Sequence, residues 1–201
     1  MLTKGQRTRH AILDVAAAVA SEHGLESLSI GRLADTTGMS KSGLFAHFGS
    51  KEELQLATVD HAAAIFVSEV IEPARAAPRG MARIWALLDG FLEYIERKVF
   101  AGGCFFATTS AEFKNRPGAV RDRIAMQLAG WHSYLQHAVE QAQELGELDQ
   151  RADARRVAFE LNAFVQNAEA QHELFGDARV FADARASVRE RLDSLRRRPA
   201  T

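Results

Sequence analysis

The chain is poor in the residues that staple, kink or break a fold. One cysteine, Cys104, stands in 201 residues, so no internal disulfide can form, and a reducing cytoplasm is the expected setting. Four prolines and two tyrosines leave little that would interrupt helices or favour sheets. No segment alternates apolar and polar residues as a half-buried strand does. No apolar run approaches the ~18 residues of a membrane span, so no membrane partner is expected. The net charge of −1 excludes a polycation, and any nucleic-acid contact must come from a local patch. Lys4, Arg7 and Arg9 before "AILDVAAAVAS" resemble a leader peptide, but Asp14 interrupts the run and its apolar residues follow a helical period.

What is present reads as an all-α protein of about nine helices. Ile12, Leu13, Ala16, Ala17 and Ala20 give residues 6 to 23 one apolar face, ended by Gly24. Ser29 caps a short helix carrying Ile30, Leu33 and Ala34, which Gly38 stops. Ser40 caps a third helix, Lys41 to Phe48, and Ser50 with Glu53 opens a fourth, from 51 to about 71. The stretch "PARAAPRG" follows as a linker. Beyond it, residues 80 to 100 form a broad apolar helix, and "AGGCFFATTSAEF" a break with a short helix. A helix of about 29 residues, roughly 43 Å, runs from Pro117 to Gly146. Helices over 152 to 175 and 177 to 196 complete the chain. The expected domains are a helix-turn-helix domain over 1–54, leading into a linking helix to about 73, and a larger helical bundle over 74–201.

Two short helices joined by a glycine-containing turn define a helix-turn-helix. The second leaves Lys41, Ser42, Phe45 and His47 on its outer face. Lysine suits phosphate, small Ser and Gly allow close backbone approach, and ring edges can meet sugar or thymine methyl groups. The stretches "ILDVAAAVASEHG", "IGRLADTTGMS" and "KSGLFAHFGSKEEL" closely resemble the tetracycline-repressor (TetR) family of bacterial regulators, without a gap over residues 9 to 54. Three positions depart from the family pattern. Phe45 stands where many members have Tyr, losing a hydroxyl bond to phosphate, while Leu28 replaces a frequent Thr and Ala20 a frequent Phe. The resemblance implies that Ser40, Lys41, Ser42, Gly43 and Phe45 lie at the recognition helix, His47 and Lys51 near phosphates, and Thr8, Arg9 and Ser29 at the DNA backbone. It implies a palindromic double-stranded operator, a homodimer, no cofactor, and a repressor released by a small, largely apolar effector.

For the C-terminal part, the resemblance and the run of aromatics imply an effector pocket walled by Trp85, Leu88, Phe91, Phe105, Trp131 and Tyr134, with Asn162 and Gln166 as polar contacts. Apolar residues of the last two helices, Leu161, Phe164, Val165, Ala168, Phe181, Ala184 and Val188, exceed what one stripe needs and are expected at a four-helix dimer interface. The Arg-rich end is expected to be a solvated tail. An enzyme is not expected: no nucleophilic triad spacing and no phosphate-cradling glycine loop occur. Glu169 and His172 make one Glu-x-x-His pair where a di-metal bundle needs two, so no metal is expected. Two other classes remain open beside the regulator, an architectural DNA-binding protein without effector and a helical-bundle enzyme.

Overall fold

The computed structural model describes residues 3–196, apart from the side chain of Phe45. The arginine-rich end, residues 197–201, lies outside the described residues. Nine helices occur among those described: α1 Lys4–His23, α2 Ile30–Thr37, α3 Lys41–Phe48, α4 Lys51–Ala74, α5 Met81–Glu96, α6 Phe105–Phe113, α7 Ala119–Glu144, α8 Ala154–Phe175 and α9 Arg179–Ser194. No strand is present among them, only an isolated bridge between Leu148 and Arg196.

Local chemistry explains most helix ends. Thr3 and Gln6 form a reciprocal capping box at α1, Ser29 accepts from the Arg32 N–H at α2, and Asp153 accepts from the Arg156 N–H at α8. Ser50 accepts from the Glu53 N–H at the start of α4. In α4 the ladder widens to a π-helical turn over Val67–Ile71. Pro73 lies just beyond and has no N–H to return to the preceding turn. Pro117 does not open α7, which begins two residues later at Ala119.

The chain forms two compact units: residues up to Ile65 with Lys98–Gln127, and Phe66–Arg97 with residues from Leu128 onward. In the first, Ile12, Leu13, Ala16, Ala17 and Ala20 of α1 are buried with Leu33, Leu44, Leu54, Phe105 and Phe113. The alanines keep α1 thin, and the chain before α6 comes in at backbone distance. A Cβ on Gly102 would lie 2.2 Å from the Ser21 carbonyl oxygen. In the second unit, α8 and α9 form an antiparallel hairpin around Gly176, whose φ of +69° suits glycine and whose N–H returns to His172 O. Arg185 of α9 bonds Asp89 and Glu96 of α5, at 2.6 Å each.

One sequence expectation needs correction. α4 spans 24 residues with a mean hydropathy of 1.3 in its richest window, long and apolar enough to cross a membrane. In the folded chain Leu54, Val59, Ala62 and Phe66 of this helix are buried against protein, and it opens with Lys51, Glu52 and Glu53. Of that window, 39% is buried inside the protein.

Candidate nucleic-acid interface

The turn between α2 and α3 is built by small residues. Gly38 takes a left-handed φ of +67° and ends α2. Ser40 then caps α3, its Oγ accepting from the Gly43 N–H at 3.1 Å and lying 3.2 Å from Ser42 Oγ. A Cβ at Gly43 would stand 3.1 Å from that Ser40 hydroxyl, so glycine keeps the cap uncrowded. Leu44 and Phe48 are buried and anchor the inner side of α3.

The outer side presents Ser40, Lys41 and Ser42, with Gly43 and His47 half-buried. Lys41 makes no ion pair among the described residues, and the first turn of α3 holds no acid. The positive end of the helix and a lysine therefore face solvent together, a suitable seat for phosphate. Ser29 is exposed while capping α2, and Lys4 and Arg7 on α1 lie toward solvent as well.

Three other expected contacts are occupied within the unit. Arg9 is half-buried, its guanidinium 4.8 Å from the centre of the Phe48 ring, a cation–π contact joining α1 to the end of α3. Thr8 donates its hydroxyl proton to Lys4 O at 3.1 Å. Lys51, expected near phosphate, instead donates to the backbone oxygen of Glu26 at 2.8 Å and to its carboxylate at 3.1 Å. That bond, followed by one from Gln55, holds the Glu26 carboxyl below the usual carboxylate range. The side chain of Phe45 lies outside the described residues.

The proposed effector residues do not all converge. Phe91 and Trp131 pack edge-to-face with each other at 5.7 Å and with Phe66 at 5.0 and 5.2 Å, and Tyr94 joins them. Trp131 donates its indole N–H to buried Asn162 at 2.9 Å, and Leu88 is fully buried in the same unit. The other four expected pocket residues have different surroundings. Phe105 belongs to the other unit and packs on Phe100 and Phe106. Trp85 lies beneath the Arg189 guanidinium at 4.3 Å, in a groove with Met81 and Leu192. Gln166 is exposed, and Tyr134 is half-buried. Phe66, which packs against Phe91, Tyr94 and Trp131, was not among the expected residues.

The expected dimer residues also divide. Leu161, Val165, Ala168, Phe181, Ala184 and Val188 are buried within one protomer, in the seam between α8 and α9. Phe164 is half-buried. The other side of α8 carries Phe159, 73% exposed, and Leu174, 74% exposed, with Phe175 at its end 71% exposed.

A short, capped, solvent-facing second helix after a glycine turn, in an all-helical chain, defines a helix-turn-helix DNA-binding protein. Residues 12–58 match the family model "Bacterial regulatory proteins, tetR family", and residues 80–188 match "Tetracyclin repressor-like, C-terminal domain". The chain belongs to the TetR family. It is similar to the HTH-type transcriptional repressor AcnR of Corynebacterium efficiens and to that of Corynebacterium glutamicum, 39% identical over 69 residues in each case. That match covers 34% of this chain, which spans only 37% of the length of those relatives. A TetR transcriptional regulator from Chloroflexus aurantiacus is 28% identical with a TM-score of 0.88, covering 98% of this chain and 99% of that one. A TetR-family regulator from Cytophaga hutchinsonii shares the fold, with a TM-score of 0.82 at 19% identity over 98% of this chain and 99% of its own.

Proposed function

We propose that the protein is a cytoplasmic, dimeric transcriptional repressor that binds a palindromic operator and is released by a small, largely apolar effector. The observation that carries the DNA-binding reading is the exposed start of α3, where Lys41 and Ser42 face solvent with no acid in the first turn. The repressor sense follows the AcnR relatives. In this reading residues 1–54 contact DNA, the following helix to about 73 links, and 74–201 carry the effector and dimer functions.

One α3 offers few base contacts, and half-sites about 34 Å apart require two. The dimer contact is assigned to the outer side of α8. Phe159, Ala163, Gln166, Ala170 and Leu174 recur there at helical spacing, and large apolar side chains exposed at both ends of a stripe mark an interaction surface. An effector favouring the subunit arrangement that misfits the operator would couple by about 1–3 kcal/mol, or about 5–150-fold in affinity.

Selection of bound DNA from a random pool tests the reading. Enrichment of an inverted repeat is expected; no enrichment of any sequence overturns it. A second reading, an architectural DNA-binding protein without effector, is favoured by the close mutual packing of Phe66, Phe91, Tyr94 and Trp131, which suits a plain core. Titrating hydrophobic small molecules against the DNA complex separates the two, since only the first predicts release.

A further inference from the structure

We infer that Glu112 is a positioning residue for DNA recognition, holding from outside the helix-turn-helix the turn that sets the start of α2. The inference rests on the DNA-binding reading above. The turn is the 3₁₀ segment Leu25–Ser27, between Gly24, which ends α1, and Ser29, which caps α2. The first N–H groups of such a segment have no partner within it. Glu112 of α6 takes two of them: Oε2 accepts from Leu25 at 2.7 Å and Oε1 from Glu26 at 3.1 Å. A carboxylate bridging two successive N–H groups is held by charge-assisted bonds.

Gly24 keeps the seat open. Its φ is +79°, and a Cβ there would come within 2.6 Å of Glu112 Oε2. Neighbouring bonds hold the end of α1 just before it: Thr108 donates to Ser21 O at 3.0 Å, and the Gly102 N–H to Ser21 Oγ at 3.3 Å. From the other side α4 takes the carbonyls, Gln55 bonding Leu25 O at 2.9 Å and Lys51 bonding Glu26 O at 2.8 Å. The N–H groups of the turn are thus fixed by α6 and its carbonyls by α4. Leu25 and Leu28 are fully buried pegs on either side of this grip. Ser29 lies next in the chain, so α2, and α3 packed on it, inherit the position of the turn. Losing the Glu112 carboxylate leaves every DNA-facing side chain in place and releases the angle at which they are presented.

The test uses the full chain, with anisotropy titrations of the pool-selected duplex and of an unrelated duplex over a range of salt. Glu112→Ala removes both acceptors; Glu112→Gln keeps the size but one acceptor only. The expected result is about a tenfold loss of affinity for the selected duplex in Glu112→Ala, a smaller loss in Glu112→Gln, and unchanged salt slope and affinity for the unrelated duplex. Stoichiometric titration gives the active fraction, so partial unfolding reads as lost sites and not as a weaker constant. Should Glu112→Ala fail to fold, the Glu112→Gln ratio between the two duplexes decides. Wild-type affinity in the variants, or equal weakening on both duplexes, overturns the positioning role alone. A wild-type chain that binds no DNA overturns the DNA-binding reading, and the inference with it.

Discussion

Replacing Lys41 and Lys51 separately by alanine distinguishes two lysines that are both exposed but differ in partners. Lys41 opens α3 and has no ion pair among the described residues, whereas the Lys51 ammonium is engaged by the backbone oxygen and carboxylate of Glu26. Each lysine–phosphate pair removed takes about 0.9 from the slope of log affinity against log salt. A dimer presents Lys41 twice, so Lys41→Ala should flatten the slope by about 1.8. Between about 50 and 200 mM salt, the wild type should then lose about twelvefold more affinity than the variant. Lys51→Ala should leave the slope nearly as it is. Its side chain is 44% exposed, so the cost appears as at most about 1 kcal/mol of stability. Anisotropy titrations at several salt concentrations, with urea unfolding followed by circular dichroism, measure both. Equal slopes for Lys41→Ala and wild type would refute the assignment of Lys41 to phosphate. A Lys51→Ala slope as flat as that of Lys41→Ala would refute the reading of Lys51 as a tie to the turn.

Asn162→Ala leaves the Trp131 N–H buried without its acceptor, and about 1–3 kcal/mol of stability should be lost, measured by urea unfolding; an unmoved midpoint contradicts the bond's importance. Phe159→Asp combined with Leu174→Asp should turn a dimer into a monomer in sedimentation equilibrium, with operator affinity falling in parallel; a variant that stays dimeric places the interface elsewhere. Because the Glu26 carboxyl is held below its ordinary value, chiefly by Lys51, its contribution to stability is complete above the unfolded value of 4.5. That contribution is lost as pH falls through the lower folded value. Glu26→Gln should therefore show a shallower decline in urea midpoint between about pH 5 and 3 than wild type, and parallel declines would count against the assignment.

How legible each feature was in the sequence follows from how far apart its partners stand. The helix-turn-helix could be read because its determinants act within a few residues: Ser29 caps Arg32, Ser40 caps Gly43, and Gly38 needs only its own φ. Periodicity went further and identified Leu161, Val165 and Ala168 as one apolar stripe of α8, but a stripe does not say whether its cover comes from the same protomer. Here α9 packs against it, and the outer side proposed for a dimer contact is diluted by Ala163, Gln166 and Ala170, too polar and too small to stand out in a periodic pattern. Phe105 and Phe106 sit beside residues that reverse the chain through Gly102 and Gly103, and the direction in which that reversal aims α6 has no local signature. The same reasoning explains why the DNA-binding unit is larger than its motif. Leu25 and Glu112 stand 87 residues apart, and α6 falls inside the stretch matched by the C-terminal family model, 80–188. If Glu112 positions the recognition helix as proposed, residues well beyond 58 set how that helix is presented.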